Sequence, residues 1–241
     1  VAETPEAKRQ QDFMLAGKAY DEGRPLEALG IYKKIQDGGY VSRELLFNLG
    51  NACYKSGRLQ EAILAYRRAW YLAPRDPDIQ ANLRFAMQTA GVAEPQASAA
   101  RHWLQKLSLS EWVWTTVAAY WLGAALFCAR LFSRVFLEGL RRLTLLSIFV
   151  FMLGVAGGWQ WIELYRLPET VVNEKGQKAL SGPVADSVAL FALPQGALAR
   201  IRENHGSWSM VEYDGQTGWI PRTNAVPVFT WSTLSQGDIP R

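Results

Sequence analysis

The chain has 241 residues and a formal net charge of +4, and 49% of its residues are hydrophobic. A mean hydropathy of −0.07 excludes a protein made mainly of membrane spans, and ten Trp residues exclude a disordered chain. No window carries the dense Lys/Arg stripe typical of nucleic-acid binding, and two cysteines define neither a disulfide framework nor a metal site. The first residue, Val1, suits a mature chain after signal-peptide removal or a trimmed chain.

The N-terminal part of the sequence repeats itself with a period of 34 residues. Identical residues recur at equivalent positions, as in the pairs Tyr20/Tyr54, Gly23/Gly57 and Tyr32/Tyr66. A period of this length is typical of units of two short helices, which bury their apolar faces only when the units stack. The pattern predicts an N-terminal domain, 1–91, with repeats 9–42 and 43–76 and a capping helix 78–90.

The second repeat carries a family resemblance. FNLGNACYKSGRLQEAILAYRRAWYLAP at 47–74 resembles a tetratricopeptide repeat (TPR). The resemblance implies an all-α solenoid whose first helices line a concave groove suited to an extended or helical partner segment. The implied groove residues are Phe13, Tyr20, Phe47, Asn51, Tyr54, Lys55 and Phe85. For Phe13 and Phe47 the alternative is packing between the repeats.

Two stretches without Asp, Glu, Lys, Arg or His follow a linker or juxtamembrane segment, 92–110. Residues 112–129 and 143–162 are long enough, at about 1.5 Å per residue, to cross a bilayer core about 30 Å thick. The first stretch extends to Phe132 if Arg130 reaches the membrane surface. The sequence therefore predicts a transmembrane hairpin over 111–162, with spans 112–132 and 143–162 and a loop 133–142. The alternative is a pair of buried core helices, although the second stretch lacks the polar face that such a helix normally has.

Arginines between the two spans predict the orientation of the hairpin. Arg130, Arg134, Arg141 and Arg142 outnumber the single Glu138 there. The positive-inside rule places a short basic loop in the cytoplasm. Both termini are then expected outside the membrane.

Small residues four positions apart mark one side of each span. The pairs are Ala119 with Gly123 and Gly154 with Gly158. Such pairs let helix backbones approach closely in lipid. We expect them to pack the spans against each other or, alternatively, to receive another membrane subunit.

The segment 168–230 alternates short runs of β-branched and aromatic residues with turn signals, and a tail, 231–241, follows it. Asp214-Gly215, between the runs 209–213 and 216–220, predicts a two-residue hairpin within a small all-β barrel. GSW at 206–208 and GWIP at 218–221 make the segment resemble a bacterial SH3 domain. Trp208 and Trp219 are then either an aromatic ligand surface or part of the barrel core.

Catalytic motifs are not recognisable in this sequence. We find no nucleophile elbow, phosphate-binding loop, dinucleotide fingerprint or Cys/His metal spacing. The two histidines, His102 and His205, are distant in sequence and have no motif context. We therefore expect a non-catalytic binding protein with no cofactor and no metal.

The order of TPR repeats, two spans with a short Arg-rich loop, and an SH3-like domain resembles the BatE-type proteins of bacterial aerotolerance (Bat) operons. The resemblance implies a membrane scaffold linked to stress tolerance, whose partners are von Willebrand A-domain Bat proteins and indirectly a MoxR-type AAA+ ATPase. The implied location is the bacterial inner membrane, with the TPR and SH3-like domains on the periplasmic side. The alternatives are a cell-wall adaptor that binds peptidoglycan and an assembly factor for envelope redox enzymes.

Overall fold

The computed structural model describes residues 4–94, 99–132, 137–166 and 168–229. The chain forms two units. The first combines the N-terminal segment Val1–Gln96 with the C-terminal segment Leu167–Arg241, and the second is Ala97–Arg166. The two ends of the chain therefore belong to the same unit.

Five helices form the N-terminal part of the first unit, and each packs against the next in chain order. They are α1 (Pro5–Asp21), α2 (Pro25–Asp37), α3 (Arg43–Lys55), α4 (Leu59–Leu72) and α5 (Pro77–Thr89). Thr4, Ser42 and Asp76 cap the starts of α1, α3 and α5, since each side chain accepts a hydrogen bond from a first-turn N–H. Gly23 and Gly57 have φ of +77° and +74°, which only glycine adopts at little cost, and they turn the chain within each helix pair. The predicted capping helix 78–90 corresponds to α5.

Two tyrosines at equivalent positions fill the interior of the repeats. Tyr32 and Tyr66 are each 2% exposed, and both lie on second helices, α2 and α4. A Cβ atom on Gly50 of α3 would lie only 2.5 Å from Cε1 of Tyr66. The close approach of α3 to α4 therefore depends on glycine at this position.

The C-terminal part of the first unit is an antiparallel sheet of seven strands. The strands are β1 (Glu169–Val172), β2 (Gln177–Leu180), β3 (Ala189–Leu193), β4 (Leu198–His205), β5 (Trp208–Tyr213), β6 (Gln216–Pro221) and β7 (Ala225–Pro227). Their order in the sheet is β3-β2-β6-β5-β4-β1-β7, and Val172, Leu193, Val211 and Ile220 are among the core residues. The predicted hairpin is confirmed: β5 pairs with β6 across Asp214-Gly215, whose φ values are +48° and +76°.

The second unit consists of α6 (Ala99–Leu104), α7 (Leu109–Phe132) and α8 (Leu137–Arg166). Residues 109–131 and 138–164 are long and apolar enough to cross a membrane, with mean hydropathies of 1.4 and 1.7. Only 11% and 22% of their most apolar stretches are buried, whereas a core helix of a soluble domain is mostly buried. These two helices, the helical repeats and the all-β domain form the multidomain architecture that the sequence predicted.

The predicted loop 133–142 is wrong over its second half, because α8 already begins at Leu137. Leu, Glu and Arg, which dominate this stretch, are good helix formers, and no proline interrupts it. Arg141 and Arg142 therefore lie on α8, exposed to solvent, and Arg130 is exposed near the end of α7. Arg134 lies outside the described residues.

Candidate binding surfaces

The predicted groove residues all lie on α1, α3 or α5, the first helices of the helix pairs and the capping helix. Three of them also pack the two helices of one repeat against each other, rather than one repeat against the next. Phe13 and Phe47 are partly buried and contact Tyr32 and Tyr66, with ring centroids 5.5 and 6.0 Å apart. Asn51 Oδ1 accepts a 2.7 Å hydrogen bond from the Tyr66 hydroxyl, and burial raises the pKa of that hydroxyl, which keeps it protonated.

The remaining groove residues are more accessible. Phe85 is 55% exposed, and its ring centroid lies 5.4 Å from that of the partly exposed Tyr54. The Tyr54 hydroxyl lies 3.3 Å from Thr89 Oγ1, which links α3 to α5. Lys55 is exposed and Tyr20 partly exposed. The Tyr54–Phe85 pair is therefore a fixed aromatic surface that a partner can reach.

The two predicted tryptophans lie on the outer face of the SH3-like sheet. Trp208 faces Pro221, and Met210 faces Trp219, across β5 and β6. Both tryptophans are partly exposed, and neither belongs to the core cluster. Side chains alternate between the two faces of a strand, and the residues that alternate with these, such as Val211, point into the core. The structure therefore does not place Trp208 and Trp219 in the barrel core, which was one of the two interpretations of the sequence.

An ion pair joins the helical repeats to the SH3-like sheet, and sequence reasoning missed it. Arg67 of α4 donates two hydrogen bonds to the Glu169 carboxylate of β1, at 2.6 and 2.8 Å. The side chains are only 11% and 6% exposed. Burial acts to lower the pKa of the Arg67 guanidinium. The charge and hydrogen bonds of the Glu169 carboxylate outweigh burial, so the pKa of Arg67 is raised. The pair is fully charged and bidentate.

Further contacts between the same two parts surround the ion pair. Arg68 donates hydrogen bonds to the carbonyl oxygens of Val228 and Pro227, at 2.7 and 3.1 Å. The rings of Tyr71 and Phe229 meet edge to face at 5.0 Å. The helical repeats and the SH3-like sheet are therefore one body with a packed interface, which joins residues as far apart in the sequence as Arg67 and Glu169, 102 positions.

The predicted small residues of the spans differ in what they contact. A Cβ on Gly123 would meet Ser147 Oγ at 2.8 Å, and one on Gly154 would meet Thr116 Oγ1 at 2.3 Å. Ala119 is 6% exposed. Gly158 has nothing within 4 Å of its Cβ position, so it takes no part in packing the two spans.

The sequence pattern did not identify Gly157, which also packs the two helices together. A Cβ atom added to Gly157 would lie 2.2 Å from Cδ2 of Trp112. Trp112 is 2% exposed and donates a 2.9 Å hydrogen bond to the Leu104 carbonyl. Trp161 is fully buried and donates a 2.9 Å hydrogen bond to the Leu107 carbonyl. Both tryptophans lie near the ends of the apolar helices, and both are buried inside the hairpin.

Metal-binding and reactive groups are not evident in the described part of the chain. There, no group of three or more His, Cys, Asp and Glu residues is placed to hold a metal ion. Cys53 is 1% exposed, and burial raises the pKa of its thiol to about 12, so it packs as a small hydrophobic residue. Cys128 is exposed on α7.

Comparison with known protein families finds two matches. A TPR repeat matches residues 50–91, and a bacterial SH3 domain matches residues 168–225. A search of curated proteins gives no match to the chain. The predicted domain composition is therefore confirmed, and its two domain types point to protein–protein interaction or peptidoglycan binding.

Proposed function

We propose that this protein is a membrane-anchored, non-catalytic adaptor that binds partner proteins through its TPR groove and its SH3 domain. The observation that carries the proposal is the Tyr54–Phe85 pair on the groove helices of a TPR domain, in which Phe85 is exposed and Tyr54 partly exposed. Rigid aromatic side chains offer a large apolar contact area at low entropic cost, and they dominate the energy of many interfaces.

In this proposal the apolar helices α7 and α8 cross the bacterial cytoplasmic membrane, and both folded domains lie on the external side. The interface between α4 and β1 supports the arrangement. Domains that pack together must lie on the same side of the membrane, and an even number of crossings between them satisfies this. The orientation rests on Arg130, Arg141 and Arg142, which mark the cytoplasmic end of the spans.

The partner class follows from the resemblance to BatE-type proteins. It favours von Willebrand A-domain membrane proteins as direct partners and a MoxR-type AAA+ ATPase as an indirect one, in a complex linked to stress tolerance. Because the TPR groove and the SH3 domain belong to one body, a partner held by the first is at high effective concentration near the second.

The test of the groove is the variant Phe85→Ala in the full-length chain. Loss of an exposed aromatic anchor should weaken partner binding at least about tenfold. Affinity purification in mild detergent should then recover fewer partner subunits. Asn51 is a poorer target, because its replacement would leave the Tyr66 hydroxyl without its acceptor.

Leu26→Ala is the matched control, since Leu26 is an apolar residue of α2, 62% exposed, on a second helix rather than a groove helix. It should retain the partners, and both variants should unfold at the temperature of the parent chain. Equal recovery of partners by Phe85→Ala and Leu26→Ala would contradict the groove assignment.

A second candidate function is peptidoglycan binding, which the outward-facing Trp208 and Trp219 favour. In that case the full-length chain would be retained by purified sacculi, and Trp219→Ala would abolish retention while Phe85→Ala would not. Retention that is independent of Trp219 would count against this candidate.

A further inference from the structure

The segment that leads into α7 is held against the hairpin by two buried indole groups. This entry segment, residues 99–108, contains α6 and belongs to the same unit as α7 and α8. Trp112 of α7 donates a hydrogen bond to the Leu104 carbonyl, and Trp161 of α8 donates one to the Leu107 carbonyl, both at 2.9 Å. The entry segment is therefore fixed to the hairpin at two points of its backbone.

Three further tryptophans at the same end of the hairpin are exposed. Trp103 of α6, Trp114 of α7 and Trp159 of α8 are 52%, 72% and 57% exposed. Trp114 follows the inward-facing Trp112 by two positions, and Trp159 precedes the inward-facing Trp161 by two. Two residues rotate an α-helix by about 200°. Trp114 and Trp159 therefore lie on opposite outer flanks of the hairpin.

These exposed indoles also lie at similar depths along the hairpin. Gly157 packs against Trp112, which sets the antiparallel register of α7 and α8 at this end. Trp159, two positions after Gly157, is then about 6 Å along the helix axis from Trp114. The ring of Trp103 lies 6.3 Å from that of Trp112. A band of this width matches one headgroup layer, since a bilayer about 40–45 Å thick with a core of about 30 Å leaves about 5–8 Å on each side.

Building on the proposed membrane anchoring, we propose that the entry segment lies in the headgroup layer of the membrane and that the exposed indoles of Trp103, Trp114 and Trp159 contact phospholipid there. An indole combines an apolar ring with an N–H donor, and tryptophan is enriched in this layer for that reason. Lys106, an exposed cation of the entry segment, suits the phosphate groups of the lipid.

Phospholipid is the occupant that fits all three indoles. A protein partner that docks on one flank of the hairpin reaches Trp114 or Trp159 but not both, because the two face opposite flanks. Lipid surrounds the hairpin and meets both flanks at the same depth. The two indole hydrogen bonds also argue against a freely moving linker in water, because they hold the Leu104 and Leu107 carbonyls in place.

The test is the depth of a nitroxide spin label in the full-length chain, with both native cysteines replaced by alanine, in phosphatidylcholine–phosphatidylglycerol vesicles. Lys106→Cys carries the label in the entry segment. Trp121→Cys, an exposed site in the middle of α7, is the deep reference, and Thr217→Cys, an exposed site in β6, is the water reference. Collision with a water-soluble nickel chelate, compared with collision with oxygen, should place the label at 106 between the two references.

Each other result of this measurement overturns a defined statement. A label at 106 as accessible to the chelate as the label at 217 would place the entry segment in water, and one as shielded as the label at 121 would place it in the hydrocarbon core. Either result, with the label at 121 shielded, overturns this inference alone. A label at 121 that the chelate reaches freely overturns the membrane anchoring itself.

Trp161→Phe tests whether the indole hydrogen bonds hold the entry segment. It should raise the population of released segment, and hence the collisions of the label at 106 with the chelate, at least about twofold, the contribution of one hydrogen bond. Trp121→Phe is the matched control and should leave the label at 106 unchanged. A label at 121 that stays shielded in Trp161→Phe shows that the hairpin is still inserted. Equal collisions at 106 in Trp161→Phe and Trp121→Phe would contradict the attachment of the segment through Trp161.

Discussion

Glu169→Gln is expected to destabilise the unit formed by the TPR and SH3 domains by about 3–5 kcal/mol, because it leaves the buried Arg67 guanidinium without a counter-charge. The carboxylate receives both of its Arg67 hydrogen bonds within 2.8 Å. The Arg67 guanidinium also stacks 4.2 Å above the Trp70 ring. It therefore has no short route to water when its partner is neutralised.

A double-mutant cycle separates the ion pair from the rest of the interface. Arg67→Met should be strongly destabilising, because it leaves the buried Glu169 carboxylate without its partner. Arg67→Met combined with Glu169→Leu should recover most of the lost stability, because no unpaired charge stays buried. The measurement is the free energy of urea-induced unfolding of the full-length chain in detergent. Arg202→Met, which breaks the more exposed pair with Glu212, is the control and should cost less than about 1 kcal/mol.

The same pair predicts an acid-sensitive interface. Burial acts to raise the pKa of Glu169, but the charge and hydrogen bonds of Arg67 outweigh burial and lower it below its ordinary value of 4.5. A lowered carboxyl pKa stabilises the fold fully above the unfolded-state value, and the stabilisation is lost as pH falls through the folded-state value. Stability of the parent chain should therefore decrease below about pH 4.5, and Glu169→Gln should show a flatter pH profile.

The double-mutant cycle has a result that would contradict a role for the Arg67–Glu169 ion pair. This result is a double variant, Arg67→Met with Glu169→Leu, that is as unstable as either single variant.

Gly157→Ala is expected to destabilise the α7–α8 hairpin by about 1–3 kcal/mol through overpacking. Its Cβ would lie 2.2 Å from the ring of Trp112. That ring is buried and tied to the Leu104 carbonyl, so it cannot move away without loss of the hydrogen bond. The measurement is SDS-induced unfolding of the chain in mixed micelles.

Gly158→Ala is the neighbouring control. Nothing lies within 4 Å of the added methyl group, and alanine is the better helix former by up to about 1 kcal/mol. The hairpin should be unchanged or slightly more stable. Similar effects of the two substitutions would mean that the spans do not pack through Gly157.

Local features of this protein were predictable from the sequence, because short-range chemistry determines them. Asp214-Gly215 adopts positive φ at both positions and closes the predicted hairpin. The 34-residue period identifies the helix pairs, and residues such as Tyr32 and Tyr66 recur because each repeat fills its interior in the same way.

Long-range features were not predictable in the same way. Arg67 and Glu169 are 102 positions apart, and in the sequence each looks like an ordinary charged surface residue. The four-residue spacing from Gly154 predicted Gly158 as the packing glycine, whereas the structure packs its neighbour Gly157 against Trp112. The choice depends on the rotation of α8 about its axis, which is fixed by the fit of Trp112 and not by sequence spacing.

The TPR and SH3 domains form one body, and we propose that this body lies on the external side of a membrane, anchored by the apolar hairpin that lies between the two domains in the sequence. Labelling of single-cysteine variants with a membrane-impermeant maleimide in spheroplasts tests it most directly. Both native cysteines, the buried Cys53 and the exposed Cys128, are first replaced by alanine. The introduced sites are Gln88→Cys in α5, Thr217→Cys in β6 and Arg141→Cys in α8, all exposed positions. We predict labelling at Gln88→Cys and Thr217→Cys, and at Arg141→Cys only after permeabilisation. Protection of just one of the two domain sites, or labelling of Arg141→Cys alone in intact spheroplasts, would contradict this arrangement of the domains and the membrane.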